Sequence, residues 1–133
     1  MISIKEAVKF HGHLGPYLVL GFLAGSLGLK KTGCNKYFGL EVKVYGANKK
    51  PESCLIDGLQ LSTGATYGKG NIQKYESKNI KITIRNLKNN RKITMVIAGQ
   101  IKKELDGLRC PSESERFARE LFKLNQQGIF TIK

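Results

Sequence analysis

The fold of this chain depends most on residues 11–29, which read HGHLGPYLVLGFLAGSLGL. Pro16 suits the first turn of a helix, where its missing N–H is no loss. The apolar residues after it leave no polar face, so the pattern predicts a buried helix that other elements cover on all sides. Gly21 and Gly25 form a smooth strip that lets another backbone approach closely. We expect Gly28 to end this helix.

The partner of that glycine strip is either the chain's own sheet or a second copy, and we predict a homodimer. Pro16 and the glycines interrupt the run, which is also shorter than the roughly 20 apolar residues that span a bilayer, so we predict no membrane segment. A secretory signal has a basic start followed by an apolar run. The first residues of this chain include the acid Glu6 and lack such a run, so we predict no secretory signal. The three cysteines form no Cys-x-x-Cys pair, and we expect them reduced in the cytoplasm.

The rest of the chain alternates between strand and helix patterns. Alternating apolar residues predict strands over residues 37–45, 80–85 and 93–98, the last two forming a hairpin. Two helices are predicted to follow, one over 98–106 and one just after Pro111 with a capping box of Ser112 and Glu115. Together these elements predict one α+β domain over residues 1–133, with an antiparallel sheet packed against helices.

The charge is strongly positive, with 23 Lys and Arg against 10 Asp and Glu, a formal net charge of +13. This balance favours a polyanionic partner. The lysines fall in short groups at expected turns, however, and no aromatic residues alternate with them as a base-stacking surface requires. We therefore predict no sequence-specific recognition of nucleic acid. Nonspecific binding of nucleic acid by this basic domain stays as one of the functional alternatives.

The only two histidines, His11 and His13, flank Gly12 just before the predicted buried helix. Imidazole binds transition metals and transfers protons at neutral pH, so this tripeptide is a candidate site, although loop histidines are often plain surface residues. A second candidate lies at Cys54, in the first turn of a helix that we expect Ser53 to cap. The helix dipole there favours a thiolate.

Asp57 follows Cys54 by three residues on the same helix face and could orient a ligand or accept a proton. The alternative is that Cys54 is a small buried hydrophobe and Asp57 a solvent-facing acid. A glycine-rich stretch follows at 64–71, without the spacing of a phosphate-binding loop. Lys69 and Thr66 are weak candidates there for contact with an anionic cofactor.

Three motifs together resemble one family. They are His11-Gly12-His13-Leu14-x-Pro16, Cys54-x-x-Asp57-Gly58-Leu59-Gln60 and Thr63-Gly64-x-Thr66-Tyr67-Gly68-Lys69-Gly70-Asn71. They are similar, in order and spacing over most of the chain, to the core domain of the family named after the FmdE component of formylmethanofuran dehydrogenase. The resemblance implies an α+β core, usually an intertwined dimer, with a cleft that can hold a metal such as zinc. Many members carry a further zinc-finger module with paired cysteines, and the present 133 residues contain no such pair.

The chain departs from the family pattern at two positions. Gly15 and Ala65 stand where the family motifs usually have cysteines. The surviving set of two imidazoles and the Cys54 thiol matches a zinc site with one open position. We predict His13 and Cys54 as the main metal ligands, with His11 as a third ligand or a supporting group. Residues at i and i+2 of an extended segment point apart, so both histidines can share a metal only if the glycine between them bends the chain.

Three functions follow from the sequence. The first is a metal-binding accessory or enzyme-like domain for a small ligand, alone or within a larger complex, in which His11 and Asp57 are the catalytic candidates. The second is a degenerate, metal-free binding or assembly module, which the loss of both thiols favours. The third is the basic nucleic-acid-binding domain. Dehydrogenase activity by this chain alone is not expected, because it has too few cysteines for iron–sulfur clusters.

Overall fold

A computed structural model describes residues 3–124 and 126–133 of the chain. Its helices are α1 (Ile4–His11), α2 (Pro16–Thr32), α3 (Cys54–Thr63), α4 (Gly99–Asp106), α5 (Pro111–Lys123) and α6 (Gln126–Ile129). Its strands are β1 (Leu40–Tyr45), β2 (Ile72–Tyr75), β3 (Lys81–Asn86), β4 (Lys92–Ile97) and β5 (Phe130–Ile132). The predicted α+β class is confirmed.

The five strands form one sheet in the order β2-β1-β3-β4-β5. The hairpin predicted from alternation is confirmed, since β3 and β4 pair antiparallel with Ile84 opposite Ile93. The expectation of a wholly antiparallel sheet is wrong at one edge, where β1 and β2 run parallel. Parallel neighbours need a crossover connection, and the segment that contains α3 supplies it.

Helix α2 lies at the centre of the molecule between α3 and the sheet. A Cβ atom on Gly21 would lie 1.9 Å from the backbone oxygen of Leu55, and one on Gly58 would lie 2.1 Å from that of Leu18. Only glycine allows the two helices to approach this closely. Because α3, α5 and the strands β3 and β4 all contact α2, the chain itself covers this helix, and α2 gives no argument for a second copy.

Two expectations about helix ends are wrong. Gly28 does not end α2, which continues to Thr32 and is capped by Gly33, a residue with φ 72°. The capping box predicted from Ser112 and Glu115 is absent because α5 already begins at Pro111. The carboxylate of Glu113 instead accepts a hydrogen bond from the backbone N–H of Arg109 at 2.9 Å.

The expected cap of α3 is also wrong. Ser53 precedes α3, but its side chain makes no capping hydrogen bond because its backbone is already helical, with φ −65° and ψ −17°. An unexpected helix, α1, opens the described chain. Helix α1 has a capping box between Ser3 and Glu6, which α5 lacks.

The two faces of the sheet differ sharply. Alternate residues of β1, β3 and β4, such as Val42, Ile84 and Met95, are fully buried against α2 and the rest of the core. The residues between them are partly or largely exposed, so the opposite face is open. Within the described ranges, no helix combines the length and apolar composition needed to cross a bilayer.

Candidate functional site

The two histidines lie side by side where the chain turns from α1 into α2. Gly12 adopts φ 110°, a left-handed conformation that L side chains rarely take, and its N–H donates to the carbonyl of Val8 at 2.7 Å. This bend brings both imidazoles to the same side of the chain. The rings of His11 and His13 stack with centroids 4.9 Å apart and an angle of 24° between their planes.

Asp57 on α3 is a direct partner of His11. The Nδ1 atom of His11 lies 2.6 Å from Oδ2 of Asp57, and the His11 side chain is only 10% exposed. An ionised carboxylate can only accept hydrogen bonds, so Nδ1 carries the proton and the Nε2 of a neutral ring keeps its lone pair. The arrangement fixes the tautomer and orientation of His11, as a carboxylate does for many catalytic or metal-binding histidines.

A cavity of about 450 Å³ opens beside these histidines. We call it the histidine cavity. Its lining includes Cys54 and Tyr17, at the starts of α3 and α2, and Arg109 and Cys110, just before α5. Leucine and proline side chains make up most of the remaining lining. A pocket with apolar walls and a few convergent polar groups is typical of small-molecule sites.

The two thiols of this cavity differ in acidity. Burial raises the pKa of Cys54, and the nearby Asp57 carboxylate raises it further. Burial and the like charge of Asp57 therefore oppose the thiolate that the helix dipole is expected to favour at Cys54. Hydrogen bonding from Ser112 lowers the pKa of the exposed Cys110.

Tyr17 is a further polar group that lines the cavity. Its side chain is 7% exposed, and burial, with smaller effects from Glu52 and Asp106, raises its pKa to about 12. The phenol therefore stays protonated and can donate a hydrogen bond at neutral pH. Tyr17, Arg109 and Cys110 were not identified as candidates from sequence, because no local motif links them to the histidines.

Lys69 and Thr66 do not reach the histidine cavity. Helix α3 separates their loop from Cys54 by 10 residues, about 15 Å along its axis. The Lys69 ammonium donates to the carbonyl of Gly64, and its backbone N–H donates to the Thr66 hydroxyl at 3.1 Å. Asn71 also accepts from the Thr66 N–H at 2.9 Å. These contacts hold the glycine-rich loop in shape.

The donor atoms do not form a finished metal site in the described part of the chain, where no three His, Cys, Asp or Glu side chains are grouped closely enough. The His11 and His13 rings stack on each other and form no such group with Cys54, so a shared ion would require the side chains to rearrange. A Cβ atom on Gly15 would lie 3.4 Å from Nε2 of His13, so a cysteine at this position would bring its thiol next to that ring. The other missing thiol position, Ala65, follows the far end of α3.

Comparison with known proteins agrees with the motifs. No curated protein matches the chain. The family model described as "FmdE, Molybdenum formylmethanofuran dehydrogenase operon" matches residues 10–131, which include the histidine loop, α3 and nearly the whole sheet. The chain therefore belongs to the FmdE family.

Proposed function

We propose that this protein is an FmdE-type accessory domain that binds a small ligand in the histidine cavity together with a divalent transition metal, zinc being the first candidate. The observation that carries the proposal is the His11–Asp57 hydrogen bond of 2.6 Å. A carboxylate that is hydrogen-bonded to one nitrogen of an imidazole fixes the orientation of the ring and increases the basicity of the other nitrogen.

Three side chains supply the donor atoms in this proposal. Nε2 of His11 is fixed, the exposed His13 can rotate toward it, and Cys54 loses its proton when the ion binds. Two imidazoles and one thiolate leave a fourth position open for ligand or water. The chemistry that zinc supplies when bound is polarisation of a coordinated group or activation of water.

The remaining cavity wall supports a small ligand with a polar or anionic end. Leucines and prolines provide apolar contact, while the Tyr17 hydroxyl and the Arg109 guanidinium offer hydrogen-bond donors. If the site is catalytic, the His11–Asp57 pair is the group suited to move a proton, since the carboxylate stabilises the imidazolium.

Calorimetric titration with zinc tests the metal site. We expect Cys54→Ala and His13→Ala each to weaken zinc binding by more than about tenfold, or about 1.4 kcal/mol. Cys34→Ala is the matched control, because Cys34 is also half-buried but accepts a hydrogen bond from Thr32 at 3.1 Å, away from the cavity. Equal zinc affinity in all three variants would refute the metal proposal.

A metal-free binding module is the second candidate. The raised pKa of Cys54 and the absence of thiols at Gly15 and Ala65 favour it. Under this alternative, zinc does not bind at micromolar concentration, and protein purified without chelators contains no stoichiometric metal. The His11–Asp57 pair then serves only to shape a pocket for a small ligand.

We also propose a homodimer, located in the cytoplasm and able to join a larger complex. An apolar patch of Phe38 and Leu87, which are 74% and 54% exposed, supports an interface away from α2. The backbone N–H of Leu87 donates to the carbonyl of Gly39, next to Phe38, at 2.9 Å. Sedimentation tests this proposal: a mass of one chain, or a dimer unaffected by Phe38→Ser, would count against it.

A further inference from the structure

The open face of the sheet carries a stacked pair of tyrosines. Tyr45 on β1 and Tyr75 on β2 are directly opposite in the parallel register, and their rings stack with centroids 5.1 Å apart and planes 20° apart. Tyr75 is 38% exposed at the edge of the sheet. Thirty positions separate the two residues in the sequence, so only the strand pairing brings them together.

One cation contacts this pair, and others lie along the same face of the sheet. Lys81 lies opposite Tyr45 on β3, with its Nζ 4.5 Å from the ring centroid. Along the same face, Arg85 on β3 lies opposite Lys92 on β4. The cations of this face on β1, β3 and β4 are Lys43, Lys81, Arg85 and Lys92, and the acid is Glu41, which leaves a net charge of +3.

We propose that this face binds single-stranded nucleic acid without sequence preference. The phosphate backbone lies along the row of cations, and a base stacks on the exposed ring of Tyr75. Single strands bind proteins through this combination of a positive surface and aromatic rings, since every base has a flat face that can stack. The net charge of +13 adds long-range attraction for a polyanion.

Electrostatic repulsion argues against a second copy of the chain binding to this face. Two such faces would each present a charge of +3 to the other, and Val96 is the apolar residue that β4 contributes to this face. A duplex keeps its bases stacked inside, so it cannot use Tyr75 in this way. An anionic membrane would attract the cations equally well, but its lipids offer no flat aromatic group to stack on Tyr75.

The test measures the anisotropy of a labelled oligothymidylate as protein is added, across a series of salt concentrations. We expect Tyr75→Leu to weaken binding at least about fivefold, the lower end of the range for one stacked base. Tyr75→Phe keeps the ring and should bind like the natural protein. Phe10→Leu is the matched control, because Phe10 is 63% exposed but lies on α1.

The double variant Lys81→Gln/Arg85→Gln tests the cations. The slope of log K against log salt should fall by about 1.4, or about 0.7 for each phosphate of a single strand that the protein no longer neutralises. The double variant Lys5→Gln/Lys30→Gln removes the same charge from exposed helix positions and should leave the slope near its original value. Circular dichroism of each variant verifies that the fold is retained.

Three results would overturn the proposal. One is an equal effect of Tyr75→Leu and Phe10→Leu, which would leave only diffuse charge attraction. Another is duplex binding as tight as single-strand binding at the same salt concentration. The last is stronger binding to phosphatidylserine vesicles than to the oligonucleotide, with the same weakening in the lysine and arginine variant, which would make the face a membrane-binding surface.

Discussion

The Nδ1 atom of His11 lies 2.6 Å from Oδ2 of Asp57, although 46 residues separate the two in the sequence. His11 is the last residue of α1, and Asp57 lies in the first turn of α3. The contact depends on the close approach of α2 and α3, since α2 directly follows the histidine loop. The glycines of these two helices therefore determine the geometry of the site.

Asp57→Asn should reduce zinc affinity by about 10- to 100-fold, the usual effect of removing a carboxylate behind a ligating histidine. The asparagine keeps the size of the side chain but removes its charge. Asp106→Asn is the control, because Asp106 is exposed and pairs with Lys102 at 3.3 Å. Calorimetry on both variants measures the difference, and equal affinities would show that Asp57 does not support a metal ligand.

Gly15→Cys should strengthen zinc binding by more than about tenfold, or about 1.4 kcal/mol, by adding a thiolate beside His13. Gly15 has an extended backbone, with φ −130°, which a cysteine adopts without strain. Gly15→Ser has a similar size and is a poor zinc ligand, so its affinity should stay unchanged. A cysteine variant that binds no better than the serine variant would place the metal elsewhere.

Gly58→Ala should destabilise the fold by about 3 kcal/mol, because the added methyl group would meet the backbone oxygen of Leu18 at 2.1 Å. Gly99→Ala is the control at the start of α4, where a Cβ atom meets nothing within 4 Å. There we expect a gain of about 0.5 to 1 kcal/mol. Urea unfolding of both variants decides whether the α2–α3 contact is as tight as described.

The stability of the protein should fall as the pH rises from about 10 to 12, with a contribution from Tyr17. The pKa of Tyr17 is about 12 in the folded state, against the ordinary tyrosine value of 10.0, so the folded state keeps a proton that the unfolded state loses. This contribution is constant below pH 10 and decreases above it by about 1.4 kcal/mol per pH unit.

Tyr17→Phe removes that titration, so its free energy of unfolding should fall less steeply over the same range. Urea midpoints at several pH values provide the comparison. Identical slopes for the two proteins would mean that the Tyr17 phenol ionises as it does in water.

Local patterns predicted much of the fold. Strict alternation identified the β3–β4 hairpin, and Pro16 marked the first residue of α2. Strand β2 was missed because its inward Ile72 is followed by exposed residues, so it shows no alternation. Its parallel pairing with β1 depends on tertiary packing, which no local pattern specifies.

The sequence identified individual residues of the candidate site but not the contacts between them. His11 and Asp57 were both named, yet their hydrogen bond depends on how α1 and α3 pack around α2. Arg109 and Cys110, which also line the histidine cavity, come from a segment with no motif. Lys69 was named as a separate candidate for an anionic cofactor, and the length of α3 separates it from Cys54.

Titration with cobalt in place of zinc tests the metal site most directly, because a cobalt–thiolate bond gives a charge-transfer band in the near ultraviolet. We predict a saturable band in the natural protein that disappears in Cys54→Ala, weakens in His13→Ala and persists in Cys34→Ala. Absence of the band from the natural protein, or its persistence in Cys54→Ala, would contradict a metal site formed by His11, His13 and Cys54.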